Sequence, residues 1–305
     1  MQPNASFHFV QLVYFDAYHA FLLFFHGFLD SLRFDIVMKA LREKEVIRNA
    51  SINCLGLNLL TYTGSLAAYY CFFLRFVTWI TTRCASSPKE LQVVIFLNKF
   101  YFIVTDTIFC VFWLVLVYAF SFLVSSRWNA VIVDSLHSTG HAYTASSKRF
   151  IITISDEILY IARMIAFMTT NALIGFVPYI GPYASFVLNC WMTSFYSFEA
   201  AWRKKNYQKT SSTYLIWLEK DWAYFAGFGF ILTLFTMRFS IMTSLSIFSA
   251  VFPAFIIMAA NPEAFAWRKD KRYIYKIFPQ SIKFFEVARN TTDYVTSGLL
   301  SLFII

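Results

Sequence analysis

Charged and nucleophilic side chains set inside apolar sequence are where this chain could do chemistry. Arg75, Asp106, Arg163, Glu199 and Arg238 all lie within strongly hydrophobic stretches. A charge at the centre of a helix in hydrocarbon costs about 2.5–3.5 kcal/mol on insertion scales, so each should reach water or meet a partner. Asp106 and Arg163 suit an interhelical ion pair, and Arg238 suits the wall of an anion path. The plainer reading lets Arg75 and Glu199 snorkel to an interface and keeps the others in a buried structural network. His137 and His141 have the i, i+4 spacing of a helical metal pair, but they flank Gly140 without an HExxH context, so no metal site is expected. Ser135, Ser138 and His137 lack the strained turn that presents a nucleophile. Gly227-Phe228-Gly229 is half of a dinucleotide motif with no strand-turn-helix around it, and close helix packing explains it better. No catalytic residue and no cofactor is expected, and the chain reads as non-enzymatic.

The elements that must position these residues follow from composition. Of 305 residues, 58% are hydrophobic and 14% charged, against about 25% charged in ordinary soluble domains. Mean hydropathy is +0.56. The 37 Phe, 18 Tyr and 8 Trp suit a bilayer interior and its aromatic belts. A net charge of +9 in so apolar a chain points to anionic lipid headgroups rather than nucleic acid. Five cysteines stand singly, without a CxxC pair, so neither zinc nor a disulfide framework is indicated. The first residues lack the basic start and cleavage site of a secretory signal.

These features predict an all-α, polytopic integral membrane protein with two long transmembrane helices, two helical hairpins that span or re-enter, and amphipathic terminal helices. It forms one membrane domain over 1–305. Residues 1–50 form an N-terminal interfacial segment, 51–261 the membrane core, and 262–305 a basic amphipathic segment. Within 7–48, Phe21, Phe25, Phe28, Leu32 and Ile36 share a helical face, which favours a helix lying on the membrane. An additional span over 7–29 is the alternative. Residues 52–80 and 100–124 are the two spans, and 129–148 reads as a loop. The block 150–201 must turn at FVPYIGPY, because Pro178 and Pro182 with Gly175 and Gly181 cannot share a continuous helix. The apolar run 222–260 would be about 58 Å long as one helix, against a hydrocarbon core of about 30 Å. It must fold back, with Arg238 at the bend.

Basic residues set the orientation. Arg42, Lys44 and Arg48 precede the first span, Arg203, Lys204, Lys205 and Lys209 follow the first hairpin, and Arg268 and Lys269 follow the second. The positive-inside rule places these segments and both termini in the cytosol. The sequons at Asn4, Asn49 and Asn290 are then unused. Arg203, Lys204, Lys205, Arg268 and Lys269 become candidates for binding anionic headgroups.

The segments TSFYSFEAAW, LIWLEKDWAYFAGFGF and FSAVFPAFIIMAAN resemble the etoposide-induced endoplasmic-reticulum membrane protein family. The matching positions are Phe198, Glu199 and Trp202, then Glu219, Lys220, Trp222, Tyr224, Gly227 and Gly229, then Pro253 and Asn261. Weaker similarity extends upstream through GFLDSL at 27–32. The resemblance implies an endoplasmic-reticulum membrane protein required for autophagosome maturation or degradation, with partners among autophagy or contact-site proteins. It also implies distant kinship to the bacterial CysZ sulfate permeases, hence the alternative of an ion or small-anion transporter. The N-terminal arm here lacks the long arginine-rich tract of animal members, so the resemblance carries over no partner recognised through that tract.

Overall fold

The computed structural model describes residues 5–68, 114–137, 164–205, 211–239 and 241–261, with positions 71, 75, 79 and 290 in isolation. Among the described residues every regular element is a helix. They are α1 (Ala5–Asp30), α2 (Phe34–Glu43), α3 (Glu45–Ala68), α4 (Leu114–His137), α5 (Met164–Gly175), α6 (Gly181–Lys205), α7 (Ser211–Lys220), α8 (Trp222–Thr236) and α9 (Ile241–Ala260).

Local chemistry explains the breaks. After α1 the Ser31 hydroxyl donates back to the Phe28 carbonyl at 2.7 Å, an alternative partner that helps end the helix. A short turn over Ser31–Arg33 then leads to α2, and Lys44 in extended backbone separates α2 from α3. The predicted surface helix continuing from Phe21 to Ile36 is therefore two helices. Between α5 and α6 the chain turns at residues 176–180, where Tyr179 takes a positive φ of 63°. Gly181 follows because a Cβ there would meet the Ile174 carbonyl oxygen at 2.6 Å, and Pro182 is tolerated in the first turn of α6. The apolar run 222–260 breaks at Met237–Phe239, with Arg238 in the turn. The two arms then pack on each other, with Phe228 and Phe255 rings 5.6 Å apart.

One expectation is corrected. Residues 129–137 continue α4 rather than forming a loop. Asn129, Ile132 and Val133 are buried, so the inward face persists, while Ala130 and Val131 face outward. The Lys44 ammonium donates to the Ser135 carbonyl at 2.6 Å, satisfying an acceptor of the last turn with a positive charge. The helix expected from residue 52 also starts earlier, at Glu45.

Three packing groups result. α8 lies between α1 and α6, α3 pairs with α4, and α9 touches α2, α3, α4, α6 and α8 and so joins the groups. At α8 the approach is backbone to backbone. A Cβ on Gly227 would sit 1.9 Å from the Phe24 carbonyl oxygen, one on Gly27 2.0 Å from that of Tyr224, and one on Gly229 1.9 Å from that of Cys190. Tyr224 donates its hydroxyl to Asp30 at 2.9 Å. The pairings Phe24 with Phe230 and Asp30 with Tyr224 show that α1 runs antiparallel to α8. Among the described residues one helical stretch, Phe9–Glu43, is long and apolar enough to cross a membrane.

Gly227→Ala or Gly27→Ala should lower stability by about 2–4 kcal/mol, since backbone must move and overpacking adds strain. Gly56→Ala, with nothing within 4 Å of its new methyl, should be neutral or stabilising by about 0.5–1 kcal/mol. Thermal denaturation in detergent checks the contrast, and equal losses at all three positions would refute it.

Candidate functional site

Two clusters concentrate the distinctive residues. The first is an aromatic core on α6, α7 and α8. Phe198 is fully buried and lies 4.7 Å from Phe228 and 5.3 Å from Phe225, ring centre to ring centre. Trp202 stacks on Phe198 at 5.6 Å and on Tyr214 at 5.7 Å, and Trp217 meets it edge-on. Each such pair adds about 0.5–1.5 kcal/mol beyond burial. The polar ends are also satisfied: Trp191 Nε1 donates to the Trp222 carbonyl at 2.8 Å, and the Tyr214 hydroxyl to that of Trp202 at 3.3 Å. Ser194 donates to the Phe225 carbonyl at 2.5 Å. Glu199 and Glu219 are buried in the same region of the fold.

The second cluster is polar and lies where α3, α4, α6 and α9 meet. Cys54, Asn58 and Tyr62 fall at intervals of four on α3, and Ser121, Ser125 and Asn129 do the same on α4, so each set forms one helical ridge. Asn58 is the hub. Its Oδ1 accepts from the Ser121 and Ser125 hydroxyls, the latter at 3.0 Å. Its Nδ2 donates to the Ser249 carbonyl at 3.2 Å and faces Cys54 Sγ at 3.6 Å.

The Ser249 bond has a cause in the sequence. Pro253 lies inside α9 and has no N–H to give the carbonyl four residues earlier. That carbonyl belongs to Ser249, and Asn58 supplies the missing donor from another helix. Neighbouring side chains commonly rescue such groups where water is excluded. These residues, with Tyr196, Phe248 and Phe252, enclose a cavity of about 30 Å3, room for one or two water-sized occupants.

Of the residues singled out from sequence, Phe198, Glu199 and Trp202 sit together on α6. Trp222 opens α8, and Gly227 and Gly229 make its close contacts. Pro253 is buried in α9, and Asn261 follows that helix with its N–H on the Met258 carbonyl at 3.3 Å. Arg238 is exposed in the α8–α9 turn, away from the cavity. Arg203, Lys204 and Lys205 end α6. Asp106, Arg163, Arg268 and Lys269 lie outside the described residues.

The family model described as EI24: Sulfate transporter CysZ/Etoposide-induced protein 2.4 matches residues 33–238, from the α1–α2 turn to Arg238. The chain belongs to this EI24/CysZ family. It is 27% identical over 243 residues to a Protein EI24 homolog of Dictyostelium discoideum, covering 79% of this chain and 74% of that protein. It is also 27% identical over 270 residues to a Protein EI24 homolog of Arabidopsis thaliana, covering 79% and 82%. No solved structure matches. The EI24/CysZ match contains both ridges of the polar cluster, whereas Pro253 and Asn261 fall beyond it.

Sequence reasoning missed the polar cluster. Nothing in the local sequence singles out Asn58, although the repeated spacing of four on two separate segments is a usable signal.

Asn58→Leu should cost about 2–5 kcal/mol, because several buried groups lose partners together. Adding Pro253→Ala should recover part of this loss, since the new N–H can bond to the Ser249 carbonyl. A double-mutant cycle on thermal stability measures the coupling, and strict additivity would break the proposed link.

Proposed function

We propose that the protein is a multi-pass helical membrane protein of the endoplasmic reticulum, required for autophagosome maturation or degradation and acting without catalysis. The observation that carries the membrane setting is an inverted polarity. Asn58, Ser121, Ser125 and Asn129 are buried, while Phe176 is 83%, Tyr179 92% and Tyr183 77% exposed at the α5–α6 turn, and Leu60 is 73% exposed on α3. Contiguous apolar surface of this kind is rare on soluble monomers and suits hydrocarbon. The autophagy role rests on the resemblance to the etoposide-induced proteins and on membership of the family.

The basic ends of α6 and of the segment after α9 face the cytosol in this reading, with the C-terminal segment, where they meet anionic headgroups. α8, at 15 residues, is about 22 Å long and falls short of a core of about 30 Å. The α8–α9 pair is therefore a hairpin that turns back within the bilayer. α1, at 26 residues, is about 39 Å long and runs antiparallel beside α8. That length favours α1 crossing the whole bilayer, with its N-terminal end on the lumenal side, instead of the surface-lying helix expected from periodicity and the cytosolic N-terminus expected from the positive-inside rule.

A second reading, passage of a small ion, is favoured by the polar cavity amid apolar helices and by the transporter named in the family description. Cells lacking the protein should show blocked autophagic flux that wild type restores. Arg238→Ala, altering an exposed turn, should restore it as well. Unchanged flux in the deletion would remove the autophagy role. Failure of Arg238→Ala to rescue, at normal abundance, would give the exposed α8–α9 turn a role of its own.

A further inference from the structure

We propose that the cavity between α3, α4 and α9 is a binding site for one small monovalent cation of sodium size, held by neutral oxygen atoms. The argument is a count of protons. The Ser121 and Ser125 hydroxyls both donate to Asn58 Oδ1, and the Ser249 hydroxyl donates to the Ser246 carbonyl at 3.3 Å. Both described contacts of Asn58 Nδ2 are already made to acceptors, the Ser249 carbonyl and Cys54 Sγ. With these protons committed, what the serines and the Ser249 carbonyl still offer to the cavity is lone pairs.

An independent observation points the same way. Asn129 is 6% exposed, lines the cavity, and its Oδ1 is buried without a hydrogen-bond partner. An orphan buried acceptor calls for a donor or a cation. The volume of about 30 Å3 has room for a small ion with one water. Phe248 and Phe252 line the cavity with carbon alone, and Cys54, Tyr62 and Tyr196 complete its wall. Carbonyls exposed at irregular points of membrane helices, joined by hydroxyl and amide oxygens, are a recurring way to hold sodium at mid-depth. Here Pro253 exposes the carbonyl and α3 and α4 bring the oxygens. The polarity is opposite to that of an anion site, and the assignment is independent of the autophagy role.

The test uses the full chain purified in detergent, comparing sodium chloride with choline chloride at equal ionic strength. Sodium well above its Kd should raise Tm by about 5 °C. Asn129→Leu should abolish the difference, and Asn129→Asp, which adds a carboxylate in nearly the same volume, should tighten sodium binding by about tenfold or more. Binding of radioactive sodium to the same samples gives a second readout, and Ser125→Ala, weakening binding, serves if Asn129→Leu does not accumulate. Equal Tm in both salts with no sodium bound would overturn the proposal and leave water as the occupant. A sodium effect unchanged in all three variants would overturn it too, as would a sulfate-specific shift that Asn129→Leu removes.

Discussion

The arrangement depends on two helices being allowed to touch α8 through their backbones. Gly227 and Gly229 lie two residues apart, about 200° around the helix, so they open two different faces. One receives α1 at Phe24, where Gly27 reciprocates against Tyr224, and the other receives α6 at Cys190. A single methyl on any of these glycines would push a carbonyl oxygen aside by more than an ångström. Phe228, between the glycines, points elsewhere and joins Phe198 and Phe255. Three consecutive residues thus assign three neighbours, and the Tyr224–Asp30 hydrogen bond fixes the sliding register of α1.

α9 converts these contacts into a single body. It touches both the α8 group and the α3–α4 pair, and its hydrogen-bond ladder is interrupted by Pro253. In water such an interruption is mild, because solvent satisfies the freed carbonyl. Among apolar helices it must be answered by a side chain, and Asn58 does so while collecting Ser121 and Ser125. The aromatic core and the polar cluster are therefore complementary. The first supplies close dispersion contact without direction, and the second supplies direction, since a one-residue slip of α3 would carry Asn58 about 100° away from its three partners.

Much of this architecture was legible from local chemistry. The break near residue 180 needed only the incompatibility of two prolines and two glycines with one helix. The break at Arg238 needed only the length of the apolar run. The tight packing at Gly227 and Gly229 followed from small residues in an apolar helix. What stayed hidden was whatever depends on distant partners. Residues 129–137 look like a loop until Lys44, 91 residues away, is seen to cap their last turn. Asn58 looks like a defect until it meets groups 63, 67 and 191 positions distant. The apolar face of α1 was visible as a pattern, but periodicity alone does not say whether such a face lies on a membrane or stands within it. The length of the run put Arg238 at the bend, but its charge alone did not reveal that it is exposed there rather than lining an anion path.

The interruption in α9 also bears on the order in which the chain can assemble during synthesis. α3 and α4 leave the ribosome well before α9, so their serines and Asn58 can associate early. α9 arrives after them with an acceptor that has no partner within its own helix. It is poorly suited to lodge alone in hydrocarbon and well suited to lodge beside a waiting amide. A nascent chain ending before Ser249 would carry Asn58 without its target. Completion of α9 becomes the step that distinguishes a paired Asn58 from an unpaired one, and a quality-control factor probing for unpaired amides would find its signal there.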